Sequence, residues 1–172
     1  MYPKALIEYL VYFHADRDYF ECHEVLEEYW KSLPKTEKSK LWVGLIQIAV
    51  GLYHHRRANF AGAEKMISSA LQLLTIDELE SYGFIGQELI DRLIVRKKVI
   101  EQRKPYTDMD LPLHPAPLLA TCEQRCAERN VCWLSPSDLK NQFLLHKHTL
   151  RDRSGVIAER EAEIRRRAQP PS

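Results

Sequence analysis

Apolar residues in this chain recur at intervals of three and four rather than two, which predicts helices and little strand. Leu6, Tyr9, Leu10 and Phe13 form the stripe of a first helix that Pro3 opens and that runs to about His14. Asp16 or Asp18 starts a second, through about Ser32, and Pro34 stops it. Thr36, followed by the acidic Glu37, opens a third through about Arg57. Asn59 caps a fourth, Phe60 to about Leu74, with Ala63, Ile67, Ala70 and Leu71 at helical spacing. After a turn at Tyr82-Gly83-Phe84, a fifth spans roughly Ile85 to Arg103 along Leu89, Leu93, Arg96 and Ile100. Pro105, Pro112, Pro115 and Pro117 then break the pattern and predict an extended connector. Beyond it, Leu118 to Arg129 reads as a short helix and Ser135-Pro136 as another helix start. Val156 to Ala168 reads as a last helix, ending in Arg165-Arg166-Arg167. The expected fold class is all-α: an antiparallel helical bundle over 1–104, a Pro-rich connector over 105–117 and a smaller helical C-terminal extension over 118–172.

Composition narrows the function classes. The 172 residues suffice for one domain with a core plus an extension. With 25 Lys and Arg against 24 Asp and Glu, the net charge of +1 supplies no bulk field for nucleic acid or anionic membrane. No stretch approaches the roughly 18 apolar residues of a membrane span, and the Met1-Tyr2-Pro3-Lys4 start lacks a secretory signal. Cys22, Cys122, Cys126 and Cys132 are too few and too unevenly spread for a disulfide framework, so a reducing cytoplasm is expected.

The candidate chemistry lies on the second and third helices. His23 and Glu27 stand four apart, hence on one face, and Trp30 follows one turn further. Set among Tyr19, Phe20 and Leu26, this polar pair reads as buried, and buried polar groups need partners. On the third helix Gly44, Gln47, Gly51, His54 and Ala58 share a face. Glycine inside a helix costs about 1 kcal/mol relative to alanine, a cost usually met where another backbone approaches closely. This notch is expected to receive the His23/Glu27 stripe, gathering His23, Glu27, Gln47 and His54 beneath Trp30 and Phe20.

Imidazole nitrogen and carboxylate oxygen suit zinc, iron, nickel or manganese. His23, Glu27 and His54 would meet the three-ligand count of a catalytic zinc, with Gln47, Trp30 and Glu24 contacting a bound ligand or orienting the set. The alternative is architectural, with His23 and Glu27 bonding to Gln47 and His54 and locking two helices in register. A His–Glu pair also suits metal-free acid/base work, but no nucleophile accompanies it. Cys22 points about 100° away from His23 and reads as core. His14 and His55 read as surface or interhelical contacts, and Arg56-Arg57 as a helix C-terminal charge cluster. Cys122, Cys126 and Cys132, with His114, His146 and His148 nearby in sequence, miss the paired hairpin spacing of zinc ribbons and read as ordinary thiols. The basic stretch through His146-Lys147-His148, Arg151-Asp152-Arg153, Arg160 and Arg165-Arg166-Arg167 lacks interleaved aromatics. It reads as a solvated amphipathic element docking on the core or a partner, without specific nucleic-acid binding.

Phe20 to Trp30, then Gly44-Leu45-Ile46-Gln47-Ile48-Ala49, then His54 with Asn59-Phe60-Ala61-Gly62-Ala63, resemble the bacterial and archaeal family known as domain of unknown function 309. The resemblance covers roughly residues 5 to 75. It implies a small all-helical domain with a His-x-x-x-Glu-x-x-Trp/Tyr motif, matched by His23, Glu27 and Trp30, which has been suggested to bind metal. It names no activity. Two readings of different class follow. One is a cytoplasmic helical protein binding a divalent metal or small ligand at a buried His/Glu site, with a hydrolase as the candidate enzyme class. The other is a protein–protein interaction module whose C-terminal helices recruit a partner.

Overall fold

The computed structural model describes residues 1–150 and 154–168, with 154–159 as backbone alone. Arg151-Asp152-Arg153 of the basic stretch lies outside the described residues. Helices dominate: α1 (Lys4–Val11), α2 (Tyr19–Ser32), α3 (Lys40–Arg56), α4 (Phe60–Leu73), α5 (Ile76–Ser81) and α6 (Gly86–Glu101) form the first part. After an extended strap come α7 (Ala120–Glu128), α8 (Gln142–Leu145), α9 (Lys147–Leu150) and α10 (Ser154–Ala168). No strand occurs among the described residues beyond an isolated antiparallel bridge between Phe84 and Leu113. The protein is all-α.

Helix starts follow side-chain chemistry. Asp18 caps α2 by accepting from the Glu21 amide at 3.1 Å, and Asn59 caps α4 by accepting from Gly62 at 3.0 Å. The third helix begins later than Thr36 predicts. Ser39 is its cap, accepting from the Leu41 amide at 3.0 Å, and Lys35–Glu37 form a separate 3₁₀ turn. Thr75 likewise caps α5, which the apolar spacing did not predict. The helix expected at Ser135-Pro136 does not form. Its polar groups are spent elsewhere: the Ser135 carbonyl accepts from Arg17 Nε at 2.8 Å, and the Ser137 amide donates to Asp108 at 2.8 Å. Asn141 instead caps α8.

α3 is the central rod, packed by α2 on one side and α4 on another, with α6 beyond α4 and α1 against α2. The buried cluster does not stop at residue 104. Met109, Leu111, Leu118, Cys122 and Cys126 belong to the same core as Leu10, Phe13, Trp42, Leu45 and Phe84. The strap from 105 to 114 is bonded along its length to the bundle. The Ile85 amide donates to Pro112 O at 2.9 Å and the His114 amide to Gly83 O at 2.9 Å.

Candidate functional site

The site is built on α2, whose buried row is Tyr19, Cys22 and Leu26. His23 and Glu27 each follow a member of that row by one residue, so they stand about 100° round the helix from it. This turn decides their exposure. The His23 side chain is 31% exposed, Glu27 35% and Glu24 44%, so the pair expected in the interior sits on the flank of the bundle.

There the three side chains meet. His23 Nδ1 lies 3.2 Å from Glu24 Oε1, and His23 Nε2 lies 3.2 Å from Glu27 Oε2. Glu27 Oε1 pairs with Lys31 Nζ at 2.9 Å. The Glu27 carboxyl is held below its ordinary pKa, chiefly by the hydrogen bond from Lys31; partial burial opposes this and the charge of His23 adds to it. One ligand atom from each of His23, Glu24 and Glu27 falls within 4.8 Å of the others. Beside them runs an open groove of about 510 Å³, walled by Tyr12 and Val25 and by the carboxylates of Glu8, Glu21 and Glu28.

The glycine face of α3 does not receive this stripe. A Cβ on Gly44 would lie 2.6 Å from Leu74 Cδ2, and one on Gly51 would lie 2.8 Å from Ile67 Cδ1. The notch is therefore filled by the side chains of α4 and the Leu74 that ends it. Gln47 and His54 share that face. Gln47 Oε1 is buried without a hydrogen-bond partner among the described residues, and His54 Nδ1 lies 3.3 Å from Asn59 Nδ2. Burial, reinforced by Arg57, lowers the His54 pKa. His54 is not part of the metal-distance grouping of His23. Trp30 packs on the core and carries Lys38 Nζ 4.6 Å over its ring. The set the structure gathers is thus His23, Glu24 and Glu27. Glu24, which the spacing placed behind the ligands, stands among them.

One imidazole nitrogen and two carboxylate oxygens fit a divalent first-row cation by ligand chemistry, with positions left for water. The thiols do not. Among the described residues Cys122, Cys126 and Cys132 make no such grouping, all four cysteines are free, and burial pushes the Cys122 thiol up to about 12. Cys22 is buried, donates from Sγ to Tyr9 O at 3.4 Å, and is also raised by burial.

Sequence reasoning underrated a second polar centre. His14 is fully buried; its Nδ1 donates to Leu10 O at 2.8 Å and its Nε2 accepts from the Leu111 amide at 2.9 Å. Arg17 is buried as well, donating to Met109 O and Ser135 O and pairing with Asp110 at 2.8 Å. Arg56 lies 4.6 Å over the Tyr19 ring and donates to Arg17 O at 2.7 Å and Ser137 Oγ at 3.2 Å. The signal available in the sequence was the run His54-His55-Arg56-Arg57 closing an otherwise apolar helix. Of that run, Arg56 and Arg57 reach the chain that follows the strap, at Ser137, Leu144, His146 and His148, whereas His55 faces Lys104 and His54 faces Asn59.

Comparison with known proteins places these features in a family. A family model described as "Domain of unknown function (DUF309)" matches residues 6–66. The chain is 46% identical, over 169 residues and 97% of each sequence, to the "Uncharacterized protein YpuF" of Bacillus subtilis (strain 168). No solved structure matches it significantly. Among the described residues no helix is long and apolar enough to cross a membrane.

Proposed function

This chain belongs to the DUF309 family, and from that premise we propose that it is a divalent-cation-binding helical protein whose ligands are His23, Glu24 and Glu27. The observation that carries the reading is the convergence of three ligand atoms within 4.8 Å on the flank of α2. His23 would offer one ring nitrogen, and Glu24 and Glu27 one oxygen each; the ion would displace the existing His23–Glu contacts and compete with Lys31 for Glu27. His54 has no part in this set. Partial exposure leaves room for exchangeable water on the ion and predicts modest affinity. The cytoplasm is the compartment that fits, since a reducing milieu keeps four thiols free.

The test is calorimetric titration of the untagged full chain with Mn²⁺, Zn²⁺ and Ni²⁺. One saturable site is expected, weakened at least about tenfold in His23→Ala and Glu27→Gln and unchanged in His54→Ala. Because exposed ion pairs contribute about 0–1 kcal/mol, His23→Ala should leave stability within about 1 kcal/mol of the wild type. Absence of saturable binding for all three ions sinks the proposal.

A second reading, a protein-interaction module, is favoured by one feature. Leu134, Leu139, Phe143 and Leu150 are each about half exposed within a single C-terminal segment. In this reading Leu139→Ser with Phe143→Ser abolishes partner capture and His23→Ala does not; the opposite pattern refutes it.

A further inference from the structure

α6 and the strap enclose between them an open pocket of about 430 Å³ that shares no residue with the cation site. Val95 and Val99 of α6 and Met109 of the strap give it an apolar wall, and Arg92 and Arg96 line it as well. Val95 is 60% exposed, so the wall is open to water.

Arg96 is the unusual member. It is only 8% exposed, yet no carboxylate stands within ion-pair distance of it among the described residues. A buried charge is costly unless it is paired and hydrogen-bonded. The carboxylates nearby are engaged by other groups. Arg17 pairs with Asp110 at 2.8 Å and Arg92 with Glu88 at 2.5 Å. Asp108 attracts Arg96 only from beyond contact, and its oxygens accept from the Tyr106 hydroxyl at 2.7 Å and the Ser137 amide at 2.8 Å.

The bonds that Arg96 does make leave one edge over. Its Nη1 donates to Thr107 O at 2.7 Å and lies 3.4 Å from His55 Nδ1, and its Nη2 donates to Thr107 Oγ1 at 3.4 Å. These occupy the end of the guanidinium. The side edge, where Nε–H stands beside the second Nη2–H, has no acceptor among the described residues. Two parallel donors of that kind fit both oxygens of a carboxylate.

We propose that the pocket between α6 and the strap binds a small organic monoanion, a carboxylate with a short apolar body. The head takes the free edge of Arg96 and the body lies along Val95, Val99 and Met109. A single negative charge suits the site better than phosphate, because Asp108 and Asp110 also line it and the Asp110 side chain is 45% exposed. The apolar wall offers phosphate nothing.

Sodium hexanoate is the probe, titrated into the full chain and followed by ¹H–¹⁵N correlation spectra. Saturable shifts are expected at the amides of 92–99 and 107–110, half complete below about 10 mM. Hexanamide, which lacks the charge, and inorganic phosphate, which lacks the apolar body, should bind at least about tenfold more weakly. Arg96→Lys keeps the charge but loses the paired donors, and should weaken hexanoate by about tenfold or more. Should that chain fail to fold, Val95→Asp decides. It sets a fixed carboxylate at an exposed position on the wall and should weaken hexanoate by at least about tenfold. His23→Ala should bind hexanoate as the wild type does, so failure of the cation site leaves this pocket standing. Hexanoate that does not saturate overturns the proposal. So does equal affinity for hexanamide or phosphate, or wild-type affinity in Val95→Asp.

Discussion

His14 is the residue whose environment has the clearest consequence. Both ring nitrogens are committed, one to its own helix at Leu10 and one to the strap at Leu111. Trp133 packs on the ring at a centroid distance of 4.4 Å. Burial outweighs the helpful bond to Leu10 and lowers the pKa from 6.5 to about 4. The sign follows directly. As pH falls through 6.5 the unfolded chain takes up a proton here and the folded chain does not until about 4, so acid favours unfolding. The contribution is complete above pH 6.5 and is lost as pH falls towards 4, amounting to roughly 3 kcal/mol. Urea unfolding at pH 7.0 and 4.5 should reveal this slope, and His14→Gln should flatten it. An unchanged slope in the variant would assign the acid sensitivity elsewhere. His55 adds in the same direction, its pKa lowered mainly by burial. None of this was legible from His14 itself, because the strap that buries it lies about a hundred residues away in sequence.

At the scale of the element, α3 shows what periodicity can and cannot tell. Gly44 and Gly51 on one face predicted the close approach of another backbone, but what fills the space is side chains, Leu74 and Ile67, and spacing along one helix carries no information about which neighbour supplies them. The neighbour is α4 with Leu74 at its end, reached through the short turn at Ala58-Asn59. Gly44→Ala should therefore be destabilising. Forcing a methyl against Leu74 costs about 1–3 kcal/mol, and the gain in helix propensity returns about 1. Combining it with Leu74→Ala should cost less than the sum of the two single changes, because the smaller side chain makes the room that the new methyl needs. Chemical denaturation of the four chains measures the coupling, and strict additivity would mean that the two positions do not touch. Element starts were more legible. Asp18 and Asn59 act as caps where their side chains predicted, since a cap is a local hydrogen bond.

The whole molecule is held together across the strap. The core joins Met109, Leu111, Leu118 and Cys122 to residues of α1, α3 and α6. Arg17 draws its partners from Met109, Asp110 and Ser135, and Arg125 of α7 pairs with Glu8 of α1 at 2.6 Å. A chain ending at residue 104 loses several fully buried side chains at about 1.5–3 kcal/mol each, against a total stability of about 5–15 kcal/mol for a typical domain. It also leaves Arg17 with its bonding groups removed. Such a truncation is expected to melt without a cooperative transition, as followed by circular dichroism; a sharp melt near that of the full chain would overturn this. Met109 and Leu111 signalled this poorly in the sequence, because prolines around a short apolar run read equally as a linker or as a strap.

Helical class, most helix extents, two of the caps and the His23–Glu27 pairing were set by the sequence itself. Each depends on interactions within four residues along the chain, where spacing alone fixes geometry. Only the tertiary structure decided that this pair faces outward, that Glu24 rather than His54 joins it, that α4 fills the glycine notch, and that His14 and Arg17 bind the strap to the bundle. Those outcomes depend on which helix faces meet. That is settled by packing the whole core at once, with every buried polar group finding its partner.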